Sequence, residues 1–165
     1  MTTVYYKLPP ELIFRDILKS NDSQTVQIKG LDFIVHPHVY PSDKFRTTNF
    51  LLESIQPIVS GAHLCDMGCG IGVVGIYALS QGAKSIVQAD INPLAVKNAK
   101  ANKKIHHFSK EIKIYESDCF GEIPKQQFDV IVFNIPFQFS DFQFRNKKSN
   151  CNCIFINSRW YYKQS

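Results

Sequence analysis

Residues 63–81 read His63-Leu-Cys-Asp66-Met-Gly68-Cys-Gly70-Ile-Gly72-Val-Val-Gly75-Ile-Tyr-Ala-Leu-Ser-Gln81. The first five make a short, mostly apolar run with the shape of a strand, and Val73 to Gln81 is apolar enough for a buried helix. Between them glycines stand at alternate positions. A glycine-rich turn from a strand into a helix lets a ligand approach the backbone closely. Downstream the alternation repeats. Ser85-Ile-Val-Gln-Ala is a second strand ending at Asp90, after which Asn92 can cap, and Pro93 open, a helix through Ala95, Val96 and Ala99 to about Lys104. Ile112-Lys-Ile-Tyr is a third strand, and Phe128-Asp-Val-Ile-Val-Phe a fourth ending at Asn134. Strands alternating with helices predict an α/β fold: a Rossmann-like, doubly wound, mainly parallel sheet with helices on both faces.

Upstream the pattern differs. Pro9-Pro10-Glu11 opens a short amphipathic helix to about Lys19, striped by Leu12, Ile13, Ile17 and Leu18. Thr25-Val-Gln-Ile-Lys and Leu31-Asp-Phe-Ile-Val flank Gly30 as two short strands or a hairpin. Phe45 to Ile55 reads as a helix directing Phe50, Leu51 and Leu52 to a core before Pro57. The chain thus divides into an extension over 1–42, a ligand-binding domain over 43–141 and a tail over 142–165.

Composition limits what such a chain can be. Its 165 residues, 44% hydrophobic and 20% charged, suit one folded core rather than a disordered chain. The longest nearly apolar stretch, Ile71 to Leu79, is far below the ~20 residues that span a bilayer, so no membrane partner is expected. The first residues lack a basic segment followed by an apolar one, and five cysteines is an odd number, so the chain reads as a cytoplasmic protein with reduced thiols. Cys151-x-Cys153 has no second pair at ligand spacing, and no metal is expected. The net charge of +5 falls in residues 142–165, where Arg145, Lys147, Lys148, Arg159 and Lys163 meet no acid. With Trp160, Tyr161 and Tyr162 beside them these bases can grip RNA, or can equally be sequence unrelated to the domain.

The glycines admit two ligands. Gly70-Ile-Gly72-Val-Val-Gly75 matches the dinucleotide pattern, with Asp90 at the distance of a ribose-binding acid. However, the turn already begins at Gly68, with Asp66 at the strand end just ahead of it. Asp66-x-Gly68-x-Gly70-x-Gly72 resembles motif I of class I S-adenosylmethionine-dependent methyltransferases. The resemblance implies S-adenosyl-L-methionine as cofactor, with Asp66 aiding its cationic end by charge-assisted and water-mediated contacts. Gly68, Gly70 and Gly72 would leave room for the sulfonium chain, and Asp90 would accept from the ribose hydroxyls. Asp118, after the third strand, stands where that superfamily often has an acid bonding the adenine amino group. Val39 to Glu53 looks like the stretch before motif I in release-factor glutamine methyltransferases, which would bring Thr48 to the cofactor. Both threonines, Thr47 and Thr48, equally suit a helix cap.

Asn134-Ile-Pro136-Phe137 directly follows the fourth strand. It resembles the N-P-P-Y/F signature of methyltransferases acting on planar nitrogens, with Ile135 in place of the first proline as in rRNA adenine dimethyltransferases. A delocalised nitrogen is a poor nucleophile, and a site helps by accepting its N–H hydrogens through the Asn134 oxygen and a backbone carbonyl. Pro136 would set the loop, and Phe137 would stack on the acceptor and face the sulfonium. No strong base is needed, because alignment supplies most of the rate. The resemblance implies an N-methyltransferase acting on a release-factor glutamine or a ribosomal RNA base. The family usually carries three more strands beyond this motif, whereas only 28 residues follow Phe137. The last strands are therefore expected to be missing, with Cys153 to Asn157 as a fifth strand and a partner subunit or second copy completing the sheet. The alternative is a catalytically inactive or partner-dependent binding module that keeps the glycine loop for stability.

Overall fold

The computed structural model describes residues 21–44, 46–106, 108 and 111–134. The helix expected up to Lys19, the acceptor residues Pro136 and Phe137, the fifth strand and the basic tail lie outside the described residues. The chain enters through a hairpin of β1 (Gln24–Ile28) and β2 (Leu31–Val35), paired antiparallel with Ile28 opposite Leu31. Lys29 and Gly30 both take positive φ, 50° and 79°, the turn whose twist matches that of the flanking strands. Ile28, Phe33 and Val35 fall on the hairpin's buried side, as alternation requires.

Helix α1 (Arg46–Ile55) buries Thr48, Leu51, Leu52 and Ile55, a stripe at spacings of three, four and seven. That stripe corrects one expectation. Phe50 lies on the opposite side and is 62% exposed, so Leu51 and Leu52 reach the core without it.

Four parallel strands follow, β3 (His63–Met67), β4 (Ser85–Asp90), β5 (Ile112–Glu116) and β6 (Val130–Phe133), side by side in the order β5-β4-β3-β6. Helices α2 (Val73–Ser80) and α3 (Pro93–Ile105) make the crossovers from β3 to β4 and from β4 to β5. Asn92 caps α3 as expected, its side-chain oxygen accepting the Leu94 N–H at 3.0 Å with Pro93 in the first turn. The order reverses at β3, since β4 and β5 lie to one side and the chain then returns to lay β6 on the other. This is the topological switch of a doubly wound sheet, and ligands bind in the crevice beyond its strand ends.

Alternation along the strands sorts the core into two. Leu64, Ile86, Ile112 and Val132 pack with Leu52, Ile55, Ile71, Ile76 and Ala95 and with the hairpin's Phe33 and Val35. On the other face Cys65, Met67, Val87 and Ala89 meet Ile123, with Phe120, Phe128 and Phe133 against them. Helices were expected on both faces, yet the described helices all contribute to the first cluster. Among the described residues the second face is met by the segment 117–129, which packs Phe120, Ile123 and Phe128 against it without forming a helix. Among the described residues no helix is long and apolar enough to cross a membrane, and no cluster of His, Cys, Asp or Glu could hold a metal.

Candidate functional site

Sheet register gathers the candidate residues at one end. Met67 pairs with both Ala89 and Phe133, and Asp90 with Glu116. The positions just past these rows are therefore neighbours: Gly68 after β3, Asp90 closing β4, Ser117 and Asp118 after β5, and Asn134 after β6. The contact between β3 and β6 is close. A Cβ on Gly68 would stand 2.9 Å from the Phe133 ring, and Asn134 follows Phe133 directly.

The loop between β3 and α2 is held by backbone bonds from Cys69 N–H to Ala89 O at 3.0 Å and from Gly72 N–H to Cys69 O at 2.8 Å. Gly68, Gly70 and Gly72 take φ of 68°, 54° and 88°, which side chains rarely adopt. Their surroundings differ. A Cβ on Gly72 would meet Ala99 and the Gln88 oxygen at 3.3 Å, so this glycine serves packing, whereas a Cβ on Gly70 would meet nothing within 4 Å. The open side of the loop is at Gly70.

Asp90 closes the loop from β4. Its Oδ2 accepts the Gly70 N–H and its Oδ1 the Asn92 N–H, both at 2.9 Å, while its own carbonyl accepts from Ser117 N–H at 3.0 Å. Each carboxylate oxygen keeps a further lone pair for a hydroxyl. Beside it Ile91 is 68% exposed, an apolar surface next to an acid at the rim of the crevice. Ser117 fixes the turn that carries Asp118. Its hydroxyl donates to Cys119 O at 2.8 Å and accepts from Glu122 N–H at 3.0 Å, and Asp118 itself is exposed.

Asp66 is placed differently. It is 2% exposed, and its Oδ2 accepts from the Gln88 Nε2 at 2.8 Å, while the Gly75 N–H also donates to the carboxylate. Gly75 lies in the first turn of α2, so Asp66 caps that helix from the adjoining strand and meets its positive end. Burial pushes the carboxyl up to about 7, with the Gln88 bond opposing, the Asp90 charge adding and the Gly75 bond opposing again. Burial likewise pushes the nearby Cys69 thiol well above its ordinary range, helped by the charges of Asp66 and Asp90. Thr48, at the start of α1, is buried with its Oγ1 lacking a partner among the described residues, whereas Thr47 is exposed and bonds Tyr40.

Several organising residues escaped the sequence reading. Gln88 is a fully buried amide on β4 under Asp66. On α3, Asn98 and Asn102 are fully buried and bond backbone groups of the hairpin and the loop. The available signal was positional: Asn98 and Asn102 fall four apart on the apolar side of α3 with Ala95 and Ala99, where a polar residue needs partners.

A parallel sheet that reverses order at its first strand, a glycine turn from there into a helix and an acid closing the next strand fit the class I S-adenosylmethionine-dependent methyltransferase fold, and the family match separates it from a dinucleotide-binding one. The chain belongs to the methyltransferase small domain family, whose model matches residues 30–150. It is 37% identical over 112 residues to "Putative protein N5-glutamine methyltransferase" of Methanocaldococcus jannaschii, covering 68% of this chain and 54% of that protein. It is 27% identical over 112 residues to the ribosomal RNA small subunit methyltransferase C of Hamiltonella defensa, covering 67% and 32%. The chain thus spans about half or less of the length of these curated relatives. A similar solved structure is the T. thermophilus 16S rRNA N2 G1207 methyltransferase with AdoMet and guanosine, at TM-score 0.60 and 21% identity over 73% of this chain and 34% of that one. It shows the shared fold.

Proposed function

We propose that this chain binds S-adenosyl-L-methionine at the glycine loop and transfers its methyl group to a planar nitrogen held at Asn134. The observation that carries the reading is the juxtaposition of two motifs about 65 residues apart: the pairing of Met67 with Phe133 stands the Asn134 backbone beside Gly68. The residues present suit the cofactor. Gly70 leaves open space, Asp90 has lone pairs for two ribose hydroxyls, Ile91 offers an apolar face to a flat ring, and Thr48 has an unused hydroxyl. When bound, the cofactor supplies a methyl group on a cationic sulfur. Asp66 acts from beneath, keeping the loop seated on α2 and adding negative potential near that cation when ionised.

Asn134 does the work on the acceptor. Its side-chain oxygen accepts an N–H of the acceptor, with a backbone carbonyl of the following residue accepting the second, so the nitrogen lone pair is left to face the cleft. Pro136 and Phe137 complete the grip, the first by fixing the backbone and the second by stacking on the acceptor plane. No residue has to remove a proton before attack: as the nitrogen bonds the methyl carbon the sulfur–methyl bond breaks, S-adenosylhomocysteine would leave as a neutral thioether, and the methylated nitrogen sheds its extra proton to water, so positioning accounts for most of the acceleration. The relatives' names cover both a protein glutamine amide and a ribosomal RNA base, and the 37% relative makes a glutamine amide, as in a release factor, the first acceptor to test.

The test is transfer of labelled methyl groups from S-adenosylmethionine to purified release factors and, separately, to ribosomes. Label in the protein arm that falls roughly 100-fold or more in Asn134→Ala, with S-adenosylhomocysteine still bound, supports the reading. Binding without transfer to either acceptor leaves a cofactor-binding module and sinks the enzymatic reading.

A further inference from the structure

We propose that Asn102 is a positioning residue that ties the seat of the β1–β2 hairpin to the shape of the glycine loop, so that hairpin docking and cofactor binding are thermodynamically linked. The inference rests on the S-adenosylmethionine reading of the loop. It starts from the backbone of β2. In a two-stranded hairpin alternate residues turn their N–H and C=O away from the partner strand; in β2 these are Asp32 and Ile34, and His36 just beyond the strand continues the row. Ile34 and His36 face α3, and among the described residues no third strand pairs with this edge. Asn98 and Asn102 stand in for one. The Ile34 N–H donates to Asn102 Oδ1 at 2.8 Å and the His36 N–H to Asn98 Oδ1 at 2.7 Å. The Ile34 carbonyl accepts from Asn98 Nδ2 at 2.7 Å and from Asn102 Nδ2 at 2.8 Å. Because the partners are backbone groups of known polarity, the orientation of both amides follows without ambiguity.

The two asparagines are not equivalent. The second amide hydrogen of Asn102 goes to the carbonyl of Ile71 at 2.9 Å. Ile71 lies between Gly70, whose N–H is held by Asp90, and Gly72, which opens α2. One planar amide therefore carries both ends: its oxygen and one hydrogen are spent on Ile34, and its other hydrogen on the loop. With the side chain fully buried and all three bonds made, the hairpin cannot shift against α3 without turning this amide and releasing Ile71. Asn98 bonds the hairpin and not the loop, so its removal loosens the hairpin's seat without removing a bond to the loop. His106 adds a second seat, its ring nitrogen 2.7 Å from the Asp32 carbonyl.

A linkage of this kind is reciprocal: a ligand that steadies the loop must steady the hairpin's seat by the same factor that hairpin docking adds to ligand affinity. Amide hydrogen exchange of the whole chain with and without S-adenosylhomocysteine reads it directly. The expected result is slower exchange at Ile34 and His36 on ligand binding, together with Gly70 and Asn92, whose N–H groups Asp90 holds. Calorimetry on Asn98→Ala, which removes no bond to the loop itself, is expected to show S-adenosylhomocysteine binding weakened about fivefold or more. Protection confined to Gly70 and Asn92, with Ile34 and His36 unchanged, overturns the linkage and leaves the cofactor reading standing. Failure of the unaltered chain to bind S-adenosylhomocysteine overturns the cofactor reading, and the linkage with it.

Discussion

Asp66, next to last in β3, holds its carboxylate under α2 rather than over the loop, and its surroundings set a pH dependence. An ordinary aspartate titrates near 4, whereas burial raises this one to about 7. Between those values the folded chain keeps a proton that the unfolded chain has released, so stability falls as pH rises through the window. The contribution is complete below about pH 4 and lost above about pH 7. Asp66→Asn keeps the neutral shape and removes the titration, so relative to the parent it should gain stability between pH 4 and 8. The gain is of the order of a few kcal/mol, at about 1.4 kcal/mol per pH unit over the window. Urea unfolding of both proteins across that range checks this, and parallel profiles would contradict it. The sequence showed an acid at this position but not which side of the loop it faces.

At the scale of elements, α2 packs closely against β4 at Gly75. A Cβ on Gly75 would stand 2.7 Å from the Gln88 Nε2 and 2.8 Å from a methyl carbon of Ile86. The glycine is there for approach, not for backbone conformation. Gly75→Ala should cost about 1–3 kcal/mol by overpacking, although alanine favours the helix. Phe50→Ser, on the exposed side of α1, should stay within about 0.5 kcal/mol of the parent, and thermal unfolding of the two variants side by side measures the contrast. Helix α1 was legible as an element but not in its rotation, because three adjacent apolar residues, Phe50 to Leu52, fit more than one stripe. The contact with α2 selects Leu51 and Leu52.

For the whole molecule, the hairpin and the parallel sheet share one apolar cluster, with Phe33 fully buried among residues of α1, α2 and the strands. Phe33→Ala should therefore lower the melting of the entire domain, by about 3–5 kcal/mol in a single transition, instead of releasing the hairpin alone. Circular dichroism and amide exchange distinguish the outcomes, and a separate early melting of residues 24–35 would contradict the shared core. The division of the chain at residue 42 follows its change of pattern; packing joins the described parts on either side of it.

What the sequence determined by itself is local and periodic: the strand–turn–helix around Gly68, Gly70 and Gly72, the Asn92 cap of α3, a break at Gly30 between two short strands, and the four strands with their direction. Glycine placement, capping chemistry and apolar period are properties of neighbouring residues, so one chain suffices to read them. Tertiary structure alone decided that Asp66 caps α2, that Ile123 packs from a loop onto the second face, and that Asn98 and Asn102 bond the free edge of β2. Those outcomes depend on which distant backbone group is left without a partner, and periodicity places a residue on a side of its own element without naming what lies opposite.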